Sequence, residues 1–442
     1  AGASRTLERW NERLEYDFRG SARQHVQSRK DGQRPSPPRT SIIKLRAGKM
    51  NKKASQERNN ALGFIILMGI VSLLGDVVYE GARGVTGPYL ALLGASATMV
   101  GLIGGLGEFI GYALRLFSGF IADRTKAYWL FTFIGYGLLI AIPLLAFTNS
   151  WQVAALLIVL ERVGKAFRSP ARDTILSYAT KEVGRGFGFG LHEALDQIGA
   201  IIGPLIFSVI LFAGGNYRTG FSVLWIPALM VIGILRIAKN RLPHPEKLES
   251  EQEAGAKNNP IFSKIFILYS LFTFFAVAGF ANFPLISYHL KIKAIVSDVQ
   301  IPALFALAMG VDALTALIIG KAYDRVGLKT LMIIPLFSVF IPFLTFSNML
   351  VFVIIGIILW GIVLGVHETI MRAAVADLTA ISRRGSAYGI FNTIYGLSWM
   401  LGGAFMGMLY EHSVFSLILL AALFEVIAIP FSLILTKELK TR

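Results

Sequence analysis

The sequence predicts an all-α integral membrane protein of twelve transmembrane helices arranged as two six-helix halves, and three observations carry that reading. The 442-residue chain is 54% hydrophobic and only 16% charged, with a mean hydropathy of +0.60, well outside the range of soluble domains. From Ala61 onward it divides into about twelve apolar spans, each long enough at 1.5 Å per residue to cross a ~30 Å hydrocarbon layer. Motifs of the first half recur about 200 residues later in the second.

In order the spans are Ala61–Leu93, Met99–Ala122, Tyr128–Phe147, Gln152–Tyr178, Gly186–Ala213 and Gly220–Ala238, then Ile265–Leu290, Val299–Ala322, Thr330–Phe346, Leu350–Leu378, Ser386–Tyr410 and Val414–Leu435. None alternates with period two, and lipid offers a backbone no hydrogen-bond partner, so each reads as a helix. Even-numbered connections carry Arg124 and Lys126, Lys181 and Arg185, Arg325 and Lys329, and Arg383 and Arg384, whereas "GASAT" and "NSW" on the other side carry none. The positive-inside rule therefore places both termini in the cytoplasm, with the protein in the plasma membrane. Arg218, Lys291 and Lys293 run against this bias without reversing it.

These spans divide the chain into a basic, largely disordered arm (1–60), a first half (61–238), a cytoplasmic linker (239–264), a second half (265–436) and a short cytoplasmic tail (437–442). The linker, "KNRLPHPEKLESEQEAGAKNNP", is too polar and too rich in proline and glycine to build a core. The arm contains "RPSPPR" and no apolar stretch. Met50 opens "MNKKASQERNN" just before the first span, so residues 1–49 read either as sequence upstream of the natural start or as a segment lying on anionic lipid.

The formal charge of +16 falls mostly in the arm and in short loops, so it marks a membrane surface rather than nucleic acid. With no cysteine, disulfides, thiolate metal sites and cysteine nucleophiles are excluded. No GxxxxGK[ST] or HExxH occurs, and "GRGFGFG" lacks a preceding strand. The chain is thus expected to have no enzymatic activity, cofactor or metal.

The internal repeat aligns "GFIADRTKAY" (119–128) with "GKAYDRVGLK" (320–329), and "RGFGFG" (185–190) with "RGSAYG" (384–389). Two parallel six-helix repeats suit a transporter that rocks about a site between its halves. The stretch Gly119, Asp123, Arg124 and its second copy Gly320, Asp324, Arg325 resemble the loop signature of the major facilitator superfamily, the second copy more closely. Arg162 in "ERVGK" resembles that family's fourth-helix arginine. "GAIIGP", with Gly199, Gly203 and Pro204, resembles the fifth-helix motif of its antiporters, although Phe207 and Ser208 replace the trailing glycines. "RVGKAFRSPARD" resembles a branch of archaeal and bacterial members. The resemblance covers nearly everything after residue 60. It implies a central cavity surrounded by helices one, four, seven and ten, and a cytoplasmic latch formed by Asp123, Arg124, Arg172 and Asp173, with Asp324, Arg325 and Asp377 as its second copy.

Charge placement points to mechanism. Spans three and nine carry no charge within their apolar stretch and span six only Arg236 near its linker end, so these three are expected to face lipid, while charged helices face protein or a water-filled cavity. Glu161, Lys165, Arg168 and Arg172 fall at spacings of 0, 4, 7 and 11, a stripe about 60° wide at 100° per residue. Helix one offers Asp76, Glu80 and Arg83, helix two Glu108 and Arg115, and helix five Glu193 and Asp196. Opposite charges on neighbouring helices can neutralise one another, either as fixed structural pairs or as partners that separate during rocking. In the second case a carboxylate at Asp76, Glu80, Glu108, Glu193 or Asp196 takes up and releases a proton as its arginine leaves. Arg162 and Arg168 are alternatively placed to bind an anionic substrate.

The second half carries Asp312, His367, Glu368 and Arg372 within its spans, the last two spaced to pair. Glu425 on span twelve is expected to pack inward or to lie near an interface, with no role assigned to it. Asn392, Tyr395 and Trp399 form a polar and aromatic stripe that either lines the cavity or packs. The expected activity is secondary transport of a small solute, with protons and lipid as the other partners and the protein a monomer. Proton-coupled export by antiport is favoured by the fifth-helix motif, uptake of an organic anion by symport is motivated by the arginine-rich fourth helix, and a non-transporting membrane sensor is the reading from another class.

Overall fold

The computed structural model describes residues 39–180, 183–243, 264–379 and 384–440; the expected arm up to residue 38, most of the linker and the end of the tail lie outside the described residues. The chain forms two compact units, residues 1–63 and 64–442. In the first unit the chain is helical from Arg39 onward. No proline falls within residues 39–60, and the good helix formers Lys, Arg, Ala, Gln and Glu recur through the stretch.

The second unit is built from helices alone among the described residues. They are α1 (Arg39–Leu92, which enters the unit at Phe64), α2 (Ala97–Thr125), α3 (Tyr128–Phe147), α4 (Trp151–Ala179), α5 (Arg185–Phe212) and α6 (Tyr217–Arg241). The second half follows with α7 (Lys264–Ile292), α8 (Gln300–Val326), α9 (Gly327–Thr345), α10 (Leu350–Val366, extended by Arg372–Leu378), α11 (Arg384–His412) and α12 (Val414–Lys440). All twelve expected spans are helical. Ten are long and apolar enough to cross a membrane; α4 falls short through its charges, and α11 through its Gly, Ser, Tyr and Trp content. Each half has its own apolar core, with Tyr89, Phe207 and Phe221 central to the first and Phe272, Phe283 and Trp360 to the second.

Two departures from continuous helix matter for function. α7 breaks at Gly279–Asn282, where the Asn282 side chain caps the next segment by accepting from Leu285 N (3.0 Å). Trp360 Nε1 donates to the freed Ala281 carbonyl (2.9 Å), so the irregular backbone is satisfied inside protein rather than left to lipid. In α10, His367–Met371 form a single π turn. That turn disrupts the i, i+4 alignment on which pairing of Glu368 with Arg372 depended, and no ion pair joins them within 4.0 Å.

The helices approach closely along small residues. On the face opposite the linker, a Cβ on Gly87 would lie 2.0 Å from the Pro284 carbonyl at the α7 break, and one on Gly101 2.1 Å from the Gly403 carbonyl of α11. Ser208 of α5 donates to the Val299 carbonyl at the start of α8 (2.9 Å). Beyond the apolar span of α11, Glu411 Oε1 accepts from Thr98 N at the first turn of α2 (2.8 Å), closing the same face between halves. Hydrogen bonds from the Ser96 hydroxyl and the Thr98 amide hold the Glu411 carboxyl below the usual range.

Because this pKa is depressed, the clasp is present above the ordinary glutamate range and is lost as pH falls through the lowered value. Glu411→Gln should weaken closure of this face and remove its acid sensitivity, measured as spin-label distance between α2 and α11 against pH. An unchanged pH profile would show that the clasp carries no conformational weight.

Candidate functional site

The charged stripe of α4 is the axis of the site. Glu161, only 1% exposed, accepts from Arg168 Nη2 at 2.9 Å and lies 3.8 Å from Arg162 Nε. Glu108 of α2 bridges two helices, 3.2 Å from Arg162 Nη1 and 3.5 Å from Arg83 Nη2, and Arg83 Nη1 reaches Glu80 at 3.4 Å. The result is an alternating chain, Glu80, Arg83, Glu108, Arg162, Glu161, Arg168, across α1, α2 and α4. Tyr79 adds an aromatic face, 4.2 Å from the Arg162 guanidinium and 3.8 Å from Lys165 Nζ. Arg162 and Arg168 are therefore tied by carboxylates, and Arg162 lies outside the cavity lining, which weighs against the anion role considered for the two together.

A second cluster joins α1, α3, α4 and α5. Arg172 Nη1 donates to Ser72 Oγ (2.8 Å), and that hydroxyl also bonds His192 Nε2 (2.9 Å) and the Tyr136 hydroxyl (3.0 Å). Arg172 also pairs with Asp173 (2.9 Å) and lies 3.6 Å from Asp196. Ser72, Tyr136 and His192 were not singled out by the sequence reading. The i, i+4 spacing of His192 and Asp196 was a usable signal, and they meet at 3.5 Å.

Between the halves lies a cavity that, with its mouth, encloses about 890 Å³. Its lining comes from the middle and linker-side parts of α1, α2, α4, α5, α8 and α10, with Tyr136 added by α3. Four lining carboxylates, Asp76, Glu193, Asp312 and Glu368, have no ion-pair partner within 4.0 Å among the described residues, and neither do the cations Arg115, Lys165 and Arg372. Asp312 is 2% exposed yet accepts no hydrogen bond among the described residues. Paired charges, among them Glu80, Arg83, Arg168, Arg172 and Asp196, line the same cavity, so the unpaired groups stand among them.

Other candidates lie elsewhere. His367 is buried against Phe280 and Tyr395, with neither ring nitrogen hydrogen-bonded. Tyr395 packs edge-on against Tyr112, Trp399 packs against Phe280, and neither they nor the half-buried Asn392 line the cavity. Gly199 and Gly203 let α5 touch α1: a Cβ there would lie 2.3 Å from the Leu73 carbonyl and 2.5 Å from that of Val77. Pro204 interrupts the α5 hydrogen-bond ladder beside this contact. The latch residues are not assembled. Asp123 and Arg124 are exposed, Asp123 accepts from the Tyr128 hydroxyl (3.2 Å), and Gly119 rests near Pro170. In the second copy Arg325 is exposed, Gly320 has room, and Asp377 accepts from the Tyr323 hydroxyl (2.7 Å); the Asp324 side chain lies outside the described residues. Glu425 is fully buried and accepts from Ser338 of α9 (2.6 Å), as expected of an inward-packed residue.

Glu108→Gln should leave Arg83 and Arg162 buried without their shared counter-charge, costing about 3–5 kcal/mol. Glu193→Gln, which breaks no ion pair, should cost less than about 1 kcal/mol. Unfolding of the two purified variants in detergent separates these outcomes; equal losses would mean that the bridging network is not what stabilises the first half.

The chain matches the family model of the Major Facilitator Superfamily over residues 60–311 and 281–442. An uncharacterized protein of Mycobacterium tuberculosis, Rv2265, is 41% identical over 382 residues, covering 85% of this chain and 93% of that one. The uncharacterized MFS-type transporter MJ1317 of Methanocaldococcus jannaschii is 28% identical, covering 79% of this chain and 89% of that one. Among solved structures the nucleoside transporter NupG shares the fold, with a TM-score of 0.67 at 15% identity over 85% of this chain and 99% of that chain. Two matched segments that together span all twelve helices, on a fold shared with a known transporter, place this chain in the Major Facilitator Superfamily of multi-pass secondary transporters for small molecules.

Proposed function

We propose that the protein is a proton-coupled antiporter that exports a small solute by alternating access, with the linker face cytoplasmic. The observation that carries this reading is the split between paired and unpaired charge. A structural ion-pair network would neutralise its members, yet Asp76, Glu193, Asp312 and Glu368 line a void with no ion-pair partner within 4.0 Å among the described residues. Such carboxylates are the groups that exchange protons when their surroundings alternate between wet and closed.

The close contacts at Gly87, Gly101 and Ser208 lie on the opposite face, and the cavity lies on the linker side of them. That geometry supports an inward-facing state. The released latch fits the same state, since Asp123 bonds within its own half instead of bridging to the other. The Gly199–Pro204 contact between α5 and α1 supports the antiport direction by resemblance alone. Arg115, Lys165 and Arg372, left unpaired on the cavity surface, favour uptake of an organic anion by symport as the second reading.

Direction separates the two. In vesicles of known sidedness, an imposed proton gradient should drive solute counter to proton flow under antiport and with it under symport. Asp76→Asn should abolish gradient-driven accumulation while solute exchange across the membrane persists. Accumulation at the parent rate would remove Asp76 from the coupling machinery.

A further inference from the structure

We propose, building on the transporter reading, that the cavity receives a small hydrophilic zwitterion, with an ammonium group at one end and a carboxylate or phosphate at the other, held between an acidic wall and a basic wall.

The unpaired charges are segregated by helix except on α10, which carries both Glu368 and Arg372. α1 touches α5 at Gly199 and Gly203, α5 touches α8 at Ser208 and Val299, and α8 touches α10 at Gly361 and Gly365. This continuous wall carries Asp76, Glu193, Asp312 and Glu368. Facing it, α2 and α4 are joined where Ser118 Oγ donates to the Ala166 carbonyl (2.6 Å), and they carry Arg115 and Lys165. Arg372 belongs to α10, and its electrostatic neighbours are Tyr112 of α2, Glu368, Tyr395 of α11 and Glu193, so it stands between the two walls.

Asp312 is the sharpest pointer. The charged groups that act on it most strongly are Glu368, Glu80, Glu193 and Arg83, and Arg83 is already shared between Glu80 and Glu108. A buried carboxyl in so negative a field calls for a cation from outside the protein. On the other wall Lys165 rests on Tyr79 and Arg115 on Tyr112, 4.7 Å from its ring; aromatic faces stabilise these cations without using up their N–H donors. A plain anion would satisfy the basic wall but face four carboxylates, and a plain cation would do the reverse; either like-charge juxtaposition is costly. The apolar lining is confined to Ala200, Met309 and Leu364, with Tyr112 and Tyr136 as the rings. That surface is too small to bury the body of a lipophilic drug.

The test uses the full-length purified protein and equilibrium binding. The dipolar probes are free amino acids and aminoalkylphosphonates, each set against its matched monocarboxylate or phosphonate, its matched alkylamine, and tetraphenylphosphonium as a lipophilic cation. At least one dipolar probe should bind, and removing either charge should weaken it by about tenfold or more. In Asp312→Asn the dipolar probe and its matched anion should bind alike, and in Lys165→Met the dipolar probe and its matched amine. Glu368→Gln and Arg372→Gln serve as a second pair should either of the first fail to fold. The proposal is overturned if no dipolar probe binds, if a singly charged or lipophilic probe binds as tightly, or if neither pair of variants erases the preference. Flux in vesicles is read separately. A dipolar probe that binds but is not moved sinks the transporter reading and leaves the ligand class standing, whereas a singly charged solute that is moved does the opposite.

Discussion

Everything in this protein is organised around the cost of taking a charge out of water. A carboxylate or guanidinium at mid-bilayer depth cannot be solvated by lipid, so each must be neutralised by a neighbour or kept next to an aqueous space. The chain uses both solutions side by side. Glu108 is clamped between Arg83 and Arg162, and Glu161 holds Arg168, while a few ångströms away Asp312 and Glu368 are left open to the cavity. The clamped set fixes α1, α2 and α4 relative to one another. The open set gives that fixed frame something to act on.

The small residues serve the same end. A bundle that must rock cannot rely on long interdigitating side chains between its halves, because sliding would have to pull them apart. The contacts between α2 and α11, and between α1 and α7, run backbone against backbone at Gly101, Gly403 and Gly87. The apolar cores, by contrast, are centred within each half, around Phe221 and around Trp360, with Ala97, Tyr112 and Ala200 of the first half packing into the second. Rigid halves with smooth faces between them are what alternating access requires mechanically.

Most of this frame was legible in the residues. Hydropathy gave twelve helices, because lipid forces every span to satisfy its own backbone. The 0, 4, 7, 11 spacing on α4 correctly put Glu161, Lys165, Arg168 and Arg172 on one charged face, because helical periodicity is insensitive to surroundings. What the spacing could not say was which of those charges would be consumed by pairing. Glu108 serving two arginines at once depends on the rotation of α2 against α1 and α4, a tertiary quantity. The Ser72, Tyr136, His192 cluster draws one member from each of three helices and leaves no local pattern. Glu368 and Arg372 illustrate the limit most plainly, since a regular helix would have stacked them and a five-residue π turn does not.

That turn has a consequence for how motion and occupancy communicate. Glu368 and Arg372 ride on one helix as opposite poles whose separation is set by the backbone instead of by mutual attraction. Whatever docks against one pole lies in the field of the other, and neither can move without carrying its companion along. A guest that engages Glu368 or Arg372 therefore acts on the π turn that joins the two α segments of α10.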